Sequence, residues 1–139
     1  VVGALPSGRK AWTPLADGIS PTGGTDVNGP TAVLKSVSKI PHPIYTSGTL
    51  LNMKLDPVLI EDDRGKRNLM AFLKTLCDLG NLHIQFNIVS TETLREAQRN
   101  PEAHRDLLVR VSGYTAYFVE LGKEIQDEII GRTTQRSFS

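Results

Sequence analysis

The sequence predicts an α/β fold of few strands and outer helices, with a glycine-centred loop between the last strand and the last helix. Three observations carry that prediction. Residues 82–89 (LHIQFNIV) alternate between apolar and polar side chains, the period of a strand with two unlike faces. Residues 64–79 place Leu69, Leu73 and Leu76 along one side, with Asp62 and Asp63 to cap the start and Gly80 to stop the end, as a helix requires. Leu107 to Val111 (LLVRV) runs straight into Ser112-Gly113, and Phe118, Leu121, Ile125 and Ile129 follow at helical spacing. The order there is strand, sharp turn, helix over about Tyr117 to Ile130.

The other elements follow in chain order. Residues 1–29 contain Gly3, Gly8, Gly18, Gly23, Gly24 and Gly29 with no sustained periodicity, which is loop composition. A stretch that long without regular structure is expected to drape over other elements. The chain opens Val1-Val2-Gly3-Ala4-Leu5 without an initiator Met, so it reads as entered in mid-domain. Asn28-Gly29-Pro30 then offers a cap and a first-turn proline. A helix over Thr31–Ile40 follows, with Val33, Leu34 and Val37 on one face and Pro41 and Pro43 beyond its end.

Thr49 to Leu55 (TLLNMKL) reads as a strand. In residues 82–89 the apolar face is core, and the face of His83, Gln85 and Asn87 is either solvated or the wall of a polar cavity. Thr91–Arg99 is a short helix stopped by Asn100-Pro101. The last helix carries Glu120, Glu124, Asp127 and Glu128 on its acidic side and stops at Gly131.

Composition narrows the function classes. The 139 residues amount to one domain, and a chain of this size buries roughly two-thirds of its unfolded surface. Sixteen basic and fifteen acidic residues leave a net charge of +1 with the signs interspersed. That pattern argues against a nucleic-acid face or an electrostatic membrane anchor. No apolar run approaches the roughly 20 residues of a membrane span. A single cysteine, Cys77, excludes an internal disulfide framework and fits a reducing, cytoplasmic setting.

Most candidate sites fail on their own residues. Gly3-Ala-Leu-Pro-Ser-Gly8-Arg9-Lys10 lacks the Lys-Ser/Thr pair and the preceding strand of a phosphate loop. His42, His83 and His104 have no metal-ligand spacing to one another or to Cys77, so no metal is expected. Cys77, beside Leu76 and one turn from Leu73, is expected to be a buried, inert thiol. No Ser or Cys lies in a context that activates it as a nucleophile. Read from spacing alone, Ser112-Gly113 is a turn in which glycine takes a backbone angle other residues avoid.

Arg110-Val111-Ser112-Gly113-Tyr114-Thr115-Ala116 closely resembles the radical-loop signature of the glycyl radical enzymes, the family of pyruvate formate-lyase and glycerol dehydratase. The resemblance extends over nearly the whole chain. It includes Leu15-Ala-Asp-Gly-Ile-Ser-Pro21, Gly29-Pro-Thr-Ala-Val-Leu-Lys-Ser-Val-Ser-Lys39 and Gly48-Thr-Leu-Leu-Asn52. It also includes His83-Ile-Gln-Phe-Asn-Ile-Val-Ser90, Thr93-Leu-Arg95 and Leu121-Gly-Lys-Glu-Ile-Gln-Asp-Glu-Ile-Ile130.

The resemblance implies that residues 1–139 are a glycyl radical domain, the C-terminal portion of a ten-stranded β/α barrel. The strand, glycine loop and last helix would fall within residues 107–131. Gly113 would store the radical, with Arg110, Val111, Ser112, Tyr114, Thr115 and Ala116 shaping the loop. A glycine α-carbon radical lies between an amide nitrogen and a carbonyl that both delocalise the electron. The absence of Cβ lets the centre become planar. An alanine at 113 is expected to add a methyl in the tightest part of the loop.

In this family an iron–sulfur, S-adenosylmethionine-dependent activating enzyme makes the radical. It passes to a cysteine on a facing loop of the catalytic barrel, and the cysteine acts on substrate. No other bound cofactor is implied. The cysteine loop has no match here, and Cys77 lies in a different context, so the chain alone is not expected to turn over substrate.

After Asn52 stands Met53-Lys54-Leu55-Asp56, where the family's dehydratases tend to carry Gln-Lys-Phe-His. Dehydration, decarboxylation and sulfonate cleavage therefore stay open. So do two further readings, a spare part that replaces the oxygen-damaged glycine region of a partner enzyme and a plain binding module. Strands 49–55 and 82–89 are expected to expose edges, and the chain to associate with itself or with a barrel partner.

Overall fold

A computed structural model describes residues 2–138; Val1 and Ser139 lie outside the described residues. Helix α1 spans Pro30–Val37, with Pro30 in the first turn and Gly29 at φ 86° before it. Strand β1 spans Leu50–Leu55, helix α2 Asp63–Asp78 and strand β2 His83–Ile88. β1 and β2 pair in parallel from Leu50 opposite His83 to Leu55 opposite Ile88, with α2 as the crossover that parallel strands need. Near the C-terminus the short β5, Thr134–Gln135, pairs in parallel with the other edge of β1. The sheet order is thus β2-β1-β5. β1 is therefore central, though β5 pairs with only its Lys54 and Leu55, and β2 keeps one edge open as expected.

This sheet has two unlike faces. Leu51, Met53 and Leu55 of β1 are at most 5% exposed and pack with Val33, Leu34 and Val37 of α1 and with Phe72 and Leu76 of α2. The opposite face carries Asn52 and Lys54, level with Gln85 and Asn87 of β2. Ile84 and Phe86 pack against the apolar core as expected, but the polar face is buried as well and the ends of the apolar face are not. Gln85 and Asn87 are 6% exposed, whereas Leu82 and Ile88 are 54% and 43% exposed. The polar face is covered at Gln85 and Asn87, where residues 108–117 pack directly on it, so there it is neither a solvated surface nor a cavity wall.

Helix α2 starts where Asp62 accepts a hydrogen bond from the Gly65 amide at 2.6 Å. It ends with Gly80 at φ 72°. Its inward stripe is Gly65, Leu69, Phe72 and Leu76. Leu73 is half-exposed and Cys77 exposed, so the expected buried thiol is a surface one. A methyl on Gly65 would lie 1.9 Å from the Leu59 carbonyl oxygen. Gly65→Ala is therefore expected to destabilise the fold by at least about 2 kcal/mol, read as a lower midpoint in chemical denaturation.

A second core lies beneath the C-terminal half. Helix α3 (Thr91–Arg99), strands β3 (Leu108–Arg110) and β4 (Thr115–Tyr117) and helix α4 (Lys123–Gly131) bury Val89, Leu94, Ala97, Val109, Val111, Phe118 and Ile129 together. The expected single helix from Tyr117 to Ile130 does not form. Tyr117 ends a strand, Phe118–Glu120 is one 3₁₀ turn, and α4 begins only after Gly122. Strand, turn, helix becomes strand, turn, strand, helix. Similarly, α1 ends at Val37 rather than Ile40, because residues 38–40 form turns ahead of Pro41.

Candidate functional site

β3 and β4 form an antiparallel hairpin with Arg110 opposite Thr115. The connection is closed by the Val111 amide donating to the Tyr114 carbonyl at 3.0 Å. Val111 is buried, while Ser112, Gly113 and Tyr114 stand exposed at the tip. Gly113 has φ 76°, and a methyl built on it meets no atom within 4 Å beyond its chain neighbours. The expectation of a crowded loop is thus not met within this chain. What favours glycine here is the left-handed backbone, which costs other residues about 1–2 kcal/mol.

The hairpin rests on the polar sheet face. Asn87 uses its whole amide on one residue: the Arg110 amide donates to Oδ1 at 2.8 Å, and Nδ2 donates to the Arg110 carbonyl at 2.8 Å. Arg110 Nε donates to Gln85 Oε1 at 3.1 Å, and its Nη1 donates to Thr115 Oγ1 at 2.8 Å. Side-chain amides thus replace a backbone ladder between β2 and β3. That is why an uncharged polar face can be buried.

Arg132, just after α4, grips the hairpin from another side. Its Nη2 donates to the Val111 carbonyl at 2.7 Å and its Nη1 to the Arg110 carbonyl at 3.3 Å. Glu128 takes Nε at 2.9 Å and Nη2 at 3.0 Å, and Asp17 lies 3.5 Å from Nη2. Asp17 comes from the loop-rich N-terminal stretch. Besides Arg132 it receives the Ser112 hydroxyl at 2.5 Å and the Asn52 side-chain amide.

Lys54, 1% exposed, sits behind this cluster. Its ammonium donates to the carbonyls of Ile130 at 2.8 Å and Ile129 at 3.3 Å, and to Thr91 Oγ1 at 3.3 Å. It thereby closes the C-terminal end of α4, where a cation is favoured. Burial, and then the nearby Arg132 and Arg95 guanidinium groups, lower its pKa from the ordinary 10.5 to about 8. The charged form is thus disfavoured in the folded state. Between about pH 8 and 10.5 the folded chain has released this proton while the unfolded chain still holds it, so Lys54 makes stability rise with pH. The difference in unfolding free energy between wild type and Lys54→Met is expected to grow over that window, measured by urea denaturation at stepped pH.

Of the residues expected at the site, Arg110, Val111, Thr115 and Ala116 form the hairpin stem, and Ser112, Gly113 and Tyr114 its tip. Asp17, Asn52, Gln85, Asn87 and Arg132, which complete the seat, were not expected as site residues. The alternation of 83–88 was the signal available for Gln85 and Asn87, and the resembling segments 15–21 and 48–52 for Asp17 and Asn52, while Arg132 lies outside all of them. His42 is buried, bonded to Thr49 Oγ1 at 2.7 Å and the Val37 carbonyl at 3.1 Å, a structural role. Among the described residues no group of three or more His, Cys, Asp or Glu is placed to hold a metal ion, and no helix is long and apolar enough to cross a membrane.

The glycine radical family model matches residues 15–119, a span that includes Asp17, the polar sheet face and the complete hairpin. The chain belongs to the glycine radical family. It is 47% identical over 135 residues to the isethionate sulfite-lyase of Oleidesulfovibrio alaskensis, covering 96% of this chain and 16% of that enzyme. It is 45% identical to the trans-4-hydroxy-L-proline dehydratase of Clostridioides difficile, covering 97% of this chain and 17% of that enzyme. The solved structure of the glycerol-bound B12-independent glycerol dehydratase from Clostridium butyricum superposes with a TM-score of 0.92 at 47% identity, over 97% of this chain and 17% of that one. The fold is therefore the C-terminal glycyl radical domain of such enzymes. The chain spans about a sixth of the length of the relatives it matches.

Proposed function

We propose that Gly113 stores an organic radical that serves a lyase or dehydratase of the glycyl radical type, and that the cysteine acting on substrate lies on a facing loop outside these residues. The observation that carries this reading is the placement of Gly113 at the exposed tip of a hairpin whose stem is held by β2 on one side and Arg132 on another. The radical, once made, supplies a hydrogen-abstracting centre. This chain's residues hold the glycine in place and leave its α-carbon open to approach. The left-handed backbone at Gly113 and the open space where a Cβ would lie both fit such a centre.

The expected partners are an activating enzyme of the iron–sulfur, S-adenosylmethionine type and the catalytic barrel with its cysteine loop. Leu108, Tyr114 and Tyr117 on the hairpin, each 44–55% exposed, and Ile88 on β2 offer apolar surface for that barrel. A reducing, anaerobic cytoplasm suits both the radical and the lone surface thiol. Relatives that act on a sulfonate, a hydroxyproline and glycerol leave the substrate to the barrel, whose residues shape the pocket.

Oxygen provides the test. After anaerobic activation and exposure to air, the polypeptide is expected to break beside Gly113, giving a fragment whose mass ends at that residue. An unbroken chain, from a sample whose activating enzyme works on another substrate protein, would count against the radical assignment.

A further inference from the structure

We infer that Asp17 is the positioning residue of the Gly113 turn, acting through the hydroxyl of Ser112. The inference rests on the radical assignment of Gly113 and adds to it a residue 95 positions upstream of the one it holds. Among the described residues, the Ser112 Oγ to Asp17 Oδ1 contact at 2.5 Å is the one hydrogen bond that reaches residues 112–114 from outside the hairpin. The Arg132, Asn87 and Gln85 contacts all stop at Arg110 and Val111. The stem is therefore fixed by the sheet, and the tip by Asp17.

Asp17 is built to act as a fixed point. Its side chain is 20% exposed and that of Arg132 14%. The strap around it is fastened to β1 at successive residues. The Ile19 amide donates to the Leu50 carbonyl at 2.9 Å, and the Asn52 amide donates to Ser20 Oγ at 2.9 Å. Gly18, at φ 56°, lies so close to β1 that a methyl there would sit 2.3 Å from the Leu50 carbonyl oxygen. Asn52 and Arg132 occupy Oδ2, which leaves Oδ1 for Ser112. A carboxylate held this way accepts from the residue directly before Gly113 and so sets where the Ser112–Gly113 peptide and the glycine α-carbon lie. Transfer between that carbon and a facing sulfur depends steeply on placement, and a shift of about 1 Å can cost on the order of a hundredfold.

The test uses the complete enzyme with its catalytic barrel, activated anaerobically, and reads substrate turnover per spin, which is normalised for folding and for activation. Ser112→Ala and Asp17→Ala are each expected to lower turnover per spin about tenfold or more, with KM little changed. Ser112→Thr, which keeps a hydroxyl, should recover most of the loss seen in Ser112→Ala. The double variant should be no worse than Asp17→Ala alone, because the Ser112 hydroxyl acts through that carboxylate and has nothing further to lose once it is gone. Turnover per spin within twofold of wild type in Ser112→Ala, or losses that multiply in the double variant, would overturn the role of Asp17. Absence of any spin in the wild type would instead overturn the radical assignment itself, so the two failures are distinct.

Discussion

Gly113→Ala is expected to abolish catalysis by the activated enzyme while leaving the domain folded. A methyl at 113 meets open space within this chain, so the structural cost is the left-handed backbone at φ 76°, about 1–2 kcal/mol. The chemical cost is larger. An α-carbon bearing a methyl is less able to become planar between its two amides, and the centre would be both harder to form and harder to share. The measurement pairs turnover with a denaturation midpoint. Loss of activity with a midpoint shifted by no more than a small glycine-to-alanine effect is the expected outcome. A fold lost together with the activity would make Gly113 a structural turn first.

Arg132→Ala is expected to do the opposite and damage the fold around the glycine. The guanidinium is 14% exposed and supplies the Val111 carbonyl, the Glu128 carboxylate and part of Asp17 at once. The Arg110 carbonyl keeps its second donor in Asn87, but the Val111 carbonyl has no other side-chain donor among the described residues. Removing one partner of a partly buried, hydrogen-bonded ion pair costs about 3 kcal/mol, measured by urea denaturation. Arg132→Lys should recover only part of this, since an ammonium cannot present the planar fork that reaches two carbonyls and a carboxylate together. A loss under about 1 kcal/mol in Arg132→Ala would mean that the hairpin stem is held by Asn87 and Gln85 without it.

Elements with a strong local period were legible in the sequence. The alternation at 82–89, the capped helix after Asp62 and the helix after Ser90 all lie within a residue or two of where they form. Their burial was harder to read. The β2 face of Gln85 and Asn87 is covered because the opposing hairpin offers main-chain groups, which need amide partners; no apolar count can show that. Phe118, Leu121, Ile125 and Ile129 do keep helical spacing, yet Gly122 starts a new helix in the middle of that run. Phe118 is buried from a 3₁₀ turn instead.

The α2 stripe is rotated from the one Leu73 suggests because Gly65 packs against the Leu59 carbonyl. That contact fixes the helix face and leaves Cys77 in solvent. As for the site, the radical-loop motif located the hairpin. The roles of Asp17 and Arg132 were not legible because they come from contacts spanning 95 and 21 residues, far beyond any local pattern.

The most direct measurement of the central claim is an anaerobic electron paramagnetic resonance spectrum after treatment with the activating enzyme, S-adenosylmethionine and reductant. It would be recorded with and without the catalytic barrel and repeated with Gly113→Ala. The expected result is a doublet from a carbon-centred radical coupled to one α-hydrogen, present in wild type and missing in Gly113→Ala. A doublet that persists in Gly113→Ala, or none in wild type with an activating enzyme proven on another protein, would contradict the account and leave Gly113 as the turn of a hairpin.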